Sequence, residues 1–113
     1  MKTRKVLILF AIIIFTSTLA TASQGHGSAH LRINAGKKGV VEFPHRLHQK
    51  TLGNCNACHY LFPKKEGIIK RLKAEGKLGK MKVMNKLCLK CHRKKKKAGQ
   101  RFGPLRCSQC HAK

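Results

Sequence analysis

The sequence predicts a small α+β protein that consists mostly of coil and short helices, with a short two-stranded hairpin near its N-terminal end. Three observations lead to this prediction. The chain has 113 residues, enough for one domain. It carries 26 Lys and Arg residues against 3 acidic residues, and beyond its first segment the apolar runs, such as Val40-Val41, are only two or three residues long. Its 6 cysteines and 7 histidines therefore have to supply the covalent or metal chemistry that a chain with so little apolar sequence needs in order to fold.

The first 22 residues are predicted to be a cleaved signal peptide. Basic residues at positions 2, 4 and 5 precede an unbroken apolar run over residues 6–15, and a small-residue cleavage site ends at Ala22. The apolar run is about half of the roughly 20 residues that a membrane-spanning helix needs. Residues 23–113 are then the exported domain.

The first predicted elements of the exported domain are two strands. Leu31–Ile33 and Val40–Phe43 are rich in apolar and β-branched residues, and the Gly-containing stretch 34–39 between them predicts a turn. Pro44 follows the second strand and suits the first turn of a helix, because its backbone angle is already close to the helical one. This order predicts a hairpin that leads directly into a short helix.

Two further helices and one loop are predicted later in the chain. Residues 64–75 contain three apolar residues at helical spacing and are followed by Gly76, which is a stop signal. Residues 80–90 predict a second helix that leads into Cys88. Residues 101–106 contain a Gly-Pro pair and predict a loop.

The sequence Cys-x-x-Cys-His occurs three times and uses all six cysteines. This motif is the attachment signature of c-type haem. Two thiols at this spacing can bond to the two vinyl groups of one porphyrin, and the next residue then presents an imidazole to the iron as its proximal ligand. Three covalently bound haem c groups are therefore expected. The three copies are Cys55, Cys58 and His59; Cys88, Cys91 and His92; and Cys107, Cys110 and His111.

Zinc binding, disulfide bonding and thioredoxin-like chemistry are the alternative uses of these cysteines. A zinc site needs four ligands, so Cys-x-x-Cys pairs usually come in twos, and a His after all three pairs would be a coincidence. Disulfides suit six cysteines in an exported chain but leave those three histidines unexplained. A thioredoxin-like motif needs a βαβ context, which the sequence lacks. Haem is favoured, and a zinc-binding exported protein is the alternative.

Four histidines lie outside the motifs and are candidates for the second axial position of haem iron. They are His26, His30, His45 and His48. His45 and His48 are three residues apart in the helix predicted after Pro44, so they lie on neighbouring faces of one turn. They cannot bind the same iron, but they can reach two haems packed side by side. The alternative is that both are surface histidines.

The stretch Val41–Lys50, followed by the first Cys-x-x-Cys-His motif and by two more near the C-terminus, resembles the triheme class III cytochromes c. This is the cytochrome c7 family, which is related to the tetraheme cytochromes c3. The resemblance covers about residues 31–113. It implies a cytochrome c3/c7-like fold wrapped around three haems, which form its core. It also implies a periplasmic carrier of electrons at low potential in anaerobic respiration, towards metal or sulfur reduction.

The same resemblance implies a set of iron ligands. Carried over to this chain, His59 and His45 bind the iron of the first haem, and His92 and His48 bind that of the second. His111 is then the proximal ligand of the third.

The second ligand of the third haem departs from the family pattern. Family members with three bis-histidine haems have a His four residues before the first Cys of the second motif, where this chain has Met84. Met84 is the expected ligand, since a thioether sulfur binds haem iron in the His/Met cytochromes. His30 or His26 is the fallback, and an open site is the third alternative. A Met ligand raises the potential of a haem relative to two histidines, so the third haem is expected to be the last to lose its electron.

The basic composition predicts acidic partners. Arg93–Lys97 is a run of five basic residues directly after the second motif, and the net charge of the chain is +23. Such a field attracts anions and repels cations. Export excludes nucleic acid, which leaves acidic redox proteins, anionic metal chelates and an anionic membrane surface as partners. The chain is expected to act as a monomer.

An electron carrier is favoured over an enzyme such as a multihaem reductase acting at an open haem site. A reductase needs an open iron position and a polar pocket around it. Glu42, Glu66 and Glu75 are the only acidic residues, which excludes paired-carboxylate catalysis and an all-oxygen calcium site. Incidental reduction of metal ions is still expected, because exposed haems of low potential reduce many ions.

Overall fold

The structure is a computed structural model that describes residues 25–112. The predicted signal peptide and its cleavage site lie outside the described residues. The strands are β1 (Leu31–Asn34), β2 (Val40–Phe43) and β3 (His111–Ala112). The helices are α1 (His45–Leu52), α2 (Asn56–His59), α3 (Ile68–Ala74), α4 (Leu89–Lys97) and α5 (Cys107–Cys110). A single 3-10 turn spans Gly36–Lys38, and a π-helical turn spans Met84–Cys88.

The three strands form one antiparallel sheet in the order β1-β2-β3. Leu31 pairs with Phe43 and Asn34 with Val40, so the predicted hairpin is confirmed and its first strand is one residue longer than expected. The third strand was not predicted. It pairs His111 with Val41, and at two residues it is too short to show the alternation that identifies a strand. The sheet thereby draws the last attachment motif to the N-terminal hairpin.

The predicted short helix is present as α1, but it begins at His45, and Pro44, which was expected in its first turn, lies just before it with a non-helical ψ of 77°. It ends where Gly53 adopts a left-handed conformation with φ of 62°. There the amide of Gly53 donates a hydrogen bond to the carbonyl of Gln49 at 3.0 Å. Glycine adopts this conformation without the steric cost of a side chain, so the helix stops after two turns.

The later helices differ from the predicted boundaries. The helix expected over residues 64–75 begins only at Ile68, because Gly67 is left-handed with φ of 65° and interrupts the helical backbone. The helix expected over residues 80–90 contains the π-helical turn and then continues as α4 to Lys97. Residues 101–106 have no regular structure, as predicted.

The part of the chain that the structure describes has a very small apolar core. Its buried apolar residues are Ile68, Leu78 and Leu87, with 6%, 4% and 7% of their surface exposed. Within residues 25–112, no helix is long and apolar enough to cross a membrane. With so small an apolar core, hydrogen bonds to backbone carbonyls have a large part in positioning four of the histidines.

Candidate haem-binding sites

Helix α1 presents its two histidines to the histidines of two different attachment motifs. The ring centroids of His45 and His59 are 6.4 Å apart. Those of His48 and His92 are 6.3 Å apart. A transition metal lies about 2 Å from a ligating imidazole nitrogen, and the ring centroid lies about 1 Å farther, so two imidazoles on opposite sides of one iron have centroids about 6 Å apart. Both pairs have the separation that a shared iron requires.

Hydrogen bonds set the tautomer of both α1 histidines. Nδ1 of His45 lies 2.9 Å from the carbonyl oxygen of Ser28. Nδ1 of His48 lies 3.0 Å from the carbonyl oxygen of Pro44. A carbonyl can only accept, so in each pair the imidazole Nδ1 carries the hydrogen and donates it. The lone pair of Nε2 is then free to bind a metal.

The motif histidines of the first two sites are held in the same way. Nδ1 of His59 donates to the carbonyl of Phe62 at 3.3 Å. Nδ1 of His92 donates to the carbonyl of Pro104 at 2.7 Å. In its neutral form each of these four imidazoles carries its hydrogen on Nδ1 and leaves Nε2 to bind a metal, which is the donor set that a bis-histidine haem takes.

Phe43 packs against both α1 histidines. Its ring centroid lies 4.4 Å from that of His48 and 6.0 Å from that of His45. The residue ends β2, and Pro44 separates it from the helix. Sequence analysis assigned Phe43 only to a strand, and its adjacency to the His-x-x-His pair was the signal for a role at the site.

The N-terminal arm, residues 26–29, is hydrogen-bonded to α1. Sequence analysis did not predict this contact. The amide of Arg46 donates to the carbonyl of Ala29 at 2.9 Å, and the side chain of Gln49 donates to the carbonyl of His26 at 2.6 Å. These contacts support the arm in the position from which Ser28 accepts the His45 hydrogen bond. Backbone acceptors of this kind leave no sequence signal.

The three attachment motifs lie close to one another. Burial raises the pKa of the Cys58 thiol, and the neighbouring Cys91 raises it further. Burial also raises the pKa of Cys88, with further contributions from Cys58 and Cys110. The first two motifs meet the same helix, because the rings of His59 and His92 face those of His45 and His48. The third motif is joined to the N-terminal hairpin by β3.

The third site is built differently from the first two. His111 lies in β3, and its Nδ1 is buried without a hydrogen-bond partner among the described residues. Met84 is half-buried at the start of the π-helical turn, whereas Met81 is 55% exposed. The backbone of His26 is held against α1, and His30 is exposed at the entrance to β1.

The six cysteines can be compared with the alternatives of disulfide bonding and zinc binding. All six cysteines are free of disulfide bonds. Within residues 25–112, no three His, Cys, Asp or Glu side chains converge as a metal-binding cluster of their own. Paired thiols, each pair followed by an imidazole, suit a ligand that brings its own metal in a porphyrin, and haem c fits this donor set.

Helix α4 carries a continuous basic face on the side away from its attachment residues. This basic face consists of four exposed residues at helical spacing, and with Asn85 they line a shallow cleft of about 440 Å³. The ion pairs of the described residues lie elsewhere, at Glu42 and Glu75, so these cations face solvent without an acidic partner. The basic face comprises Lys90, Arg93, Lys94 and Lys97.

Comparison with known proteins places these features in a family. Residues 41–112 match the family described as cytochrome c7 and related cytochrome c. The chain is 33% identical to a cytochrome c7 of Geobacter metallireducens over 111 residues, which is 97% of this chain and 99% of the relative. It is 34% identical to a cytochrome c3 of Desulfuromonas acetoxidans over 77 residues, which is 68% of this chain and 88% of the relative.

Solved structures agree with the sequence relatives. The solution structure of the triheme cytochrome PpcA from Geobacter sulfurreducens matches this chain with a TM-score of 0.54 and 33% identity, over 76% of this chain and 100% of that one. A second solved structure, from work on the triheme cytochrome family of the same organism, matches with a TM-score of 0.52 and 34% identity over the same shares. The chain therefore belongs to the cytochrome c7 family.

Proposed function

We propose that this protein is a periplasmic electron carrier with three covalently bound haem c groups, working at low potential in anaerobic respiration towards metal or sulfur reduction. Membership of the cytochrome c7 family makes it a multihaem c-type electron carrier. The triheme character of PpcA and the three Cys-x-x-Cys-His motifs support a count of three. The predicted signal peptide supports the periplasmic location.

The proposal assigns each residue of the sites a role. Cys55, Cys58, Cys88, Cys91, Cys107 and Cys110 attach the haems, and His59, His92 and His111 are the proximal ligands. His45 and His48 are the distal ligands of the first two irons, and Met84 that of the third. When bound, haem supplies a one-electron Fe(III)/Fe(II) couple.

The single observation that carries the proposal is the division of α1 between two sites. One helical turn sets His45 against His59 and His48 against His92, each pair at a separation of 6.3 to 6.4 Å. A helix that supplies a ligand to each of two metals makes those metals neighbours. Proximity of this kind serves the passage of electrons through a protein that has three redox sites.

The ligand pattern favours a carrier over a reductase. The four imidazoles of the first two sites leave neither iron an open position for a substrate. A thioether ligand from Met84 would fill the third site as well. Reduction of metal ions then takes place at the edge of the protein, as an incidental consequence of electron transfer.

The basic face of α4 supports an anionic partner. The basic face lies on the opposite side of α4 from Cys91 and His92, so an anion held there is separated from the second attachment site by the width of one helix, about 10 Å. Acidic redox proteins and anionic metal chelates both satisfy this requirement, and an anionic membrane surface is the third partner of the same charge. We propose that the protein docks as a monomer through this face.

The proposal is tested by the intact mass of the exported protein together with its reduced-minus-oxidised spectrum. The mass is expected to equal that of residues 23–113 plus three haem b groups, because thioether formation loses no atoms. The spectrum is expected to show low-spin c-type haem. A mass that equals the bare polypeptide would refute the proposal, and a strong high-spin signal in one third of the haem would refute a filled third site.

A further inference from the structure

A short loop before the third attachment motif packs against the proximal histidine of the second. The loop, residues 103–106, has no regular structure, and its Pro104 carbonyl accepts the hydrogen bond from Nδ1 of His92 at 2.7 Å. This is the shortest of the four bonds that orient the site imidazoles. The loop is therefore the partner that sets the tautomer and direction of this ring.

The His92 ring occupies the space that a side chain at position 103 would need, and Gly103 has no side chain. A Cβ at position 103 would lie 2.6 Å from Nε2 and 3.0 Å from Nδ1 of His92, and closer still to Cε1. Carbon atoms do not approach ring atoms so closely, so any side chain here would displace the imidazole or the loop. The φ angle of Gly103 is not positive, which means that the ring, and not the backbone conformation, excludes a side chain.

The loop is anchored by a residue of the third attachment motif. Oε1 of Gln109 accepts hydrogen bonds from the amides of Arg106 at 3.1 Å and Leu105 at 3.4 Å. Gln109 lies between the two cysteines of that motif, within α5. A chain of contacts thus runs from the third motif through the loop to the ligand of the second.

We propose that Gly103 and Gln109 are positioning residues for His92, so that a residue of the third attachment motif tunes the ligand strength at the second haem. The hydrogen bond from Nδ1 makes the imidazole a stronger electron donor, and a stronger donor stabilises ferric iron and lowers the potential. Weakening the bond to Pro104 raises the potential of that haem. The inference rests on the proposed role of His92 as an iron ligand.

The test compares four variants of the full, haem-loaded protein, with the potential of each haem resolved by NMR during a redox titration. Gly103→Ala is expected to raise the reduction potential of the second haem by about 59 mV or more, which is a tenfold or larger change in its one-electron redox equilibrium. Gln109→Ala is expected to shift the same haem in the same direction by less. The first and third haems keep their potentials in both variants.

Two substitutions serve as matched controls. Gly79 has no atom within 4 Å of an added Cβ, so Gly79→Ala makes the same chemical change without meeting a ring. Ser108 is exposed and shares the third motif with Gln109, so Ser108→Ala tests whether any change in that motif has the effect. Both are expected to leave all three potentials unchanged.

The proposal is overturned if the Gly103→Ala protein has three haems with wild-type potentials. It is also overturned if Gln109→Ala changes the potential of the third haem only. If Gly103→Ala yields no folded protein, Gln109→Ala decides the matter alone, because it adds no steric conflict. Failure of the proposed function would give a different result, because the wild-type protein would then lack the mass of its haems. Failure of this inference alone leaves a wild type with three haems and variants whose potentials are unchanged.

Discussion

At the scale of single residues, the proposed assignment of His45 and His48 to different irons rests on their separation by one helical turn. Replacing His45 with Gly is expected to open the first iron, and replacing His48 with Gly the second, because each ring faces a different motif histidine. Each variant should contain one high-spin and two low-spin haems. Electron paramagnetic resonance of the ferric protein measures these fractions, and three low-spin haems in both variants would contradict the assignment.

Met84, the proposed second ligand of the third iron, differs in chemistry from the histidines proposed for the first two irons. Met84→His is expected to lower the potential of one haem by on the order of 0.1 V, a small part of the roughly 0.8 V that axial ligands span. The physical reason is that a thioether donates less electron density to ferric iron than an imidazole does. The weak long-wavelength absorption of ferric His/Met haem should disappear in the variant.

Met81→His is the matched control for that change. Met81 lies one turn earlier and is exposed, so the same substitution there should leave all three potentials and the long-wavelength band as they are. A wild type without the band would show that Met84 does not bind iron.

At the scale of elements, helix α4 carries attachment residues of the second motif on one side and the basic face on the other. Reversing two charges of its basic face, with Lys90→Glu and Lys94→Glu together, is expected to slow reduction of a ferric citrate chelate about tenfold at low salt, since electrostatic steering contributes factors of this size or more. Stopped-flow measurement with the reduced protein gives the rate. The difference should vanish near 1 M salt, where the screening length falls to about 3 Å.

The same change of charge at another place controls for net charge alone. Lys64 and Lys65 are exposed and lie far along the chain from α4, so Lys64→Glu with Lys65→Glu should slow the reaction much less. Equal effects of the two double variants would mean that the whole molecular field, and not the basic face, guides the chelate.

Elements also show what could be predicted from the sequence and what could not. The hairpin was predictable because Val40 to Phe43 carries β-branched and apolar residues with a Gly-rich turn before them. The three motifs were predictable because covalent attachment requires a set spacing of cysteine and histidine. Ring separations such as that of His48 and His92 needed the structure, because they depend on how distant segments pack.

Other features left no local signal. The start of α3 at Ile68 depended on the left-handed Gly67, and a glycine alone does not reveal its φ angle. The hydrogen bond between His92 and Pro104 joins a helix to a loop through a backbone carbonyl, which any residue could offer. β3 forms because His111 and Ala112 meet an existing strand edge, not because of their own propensity.

At the scale of the whole molecule, the described polypeptide has little to hold it together apart from the haems. A variant with all six cysteines changed to serine is expected to be unfolded, because the burial of three apolar side chains cannot offset the entropy of ordering the backbone. Circular dichroism should show little helix and no cooperative thermal transition. A cooperative transition in this variant would indicate a protein core beyond the three buried residues.

The small core has a consequence for biogenesis. A polypeptide without a folded form before loading keeps the thiols of every motif accessible to the cell's haem-attachment machinery, in whatever order the haems arrive. Chains that fail to acquire their haems stay extended and remain good substrates for proteases. Cofactor loading then also serves as quality control, and the amount of this protein in the cell should follow the supply of haem more closely than the supply of its messenger RNA.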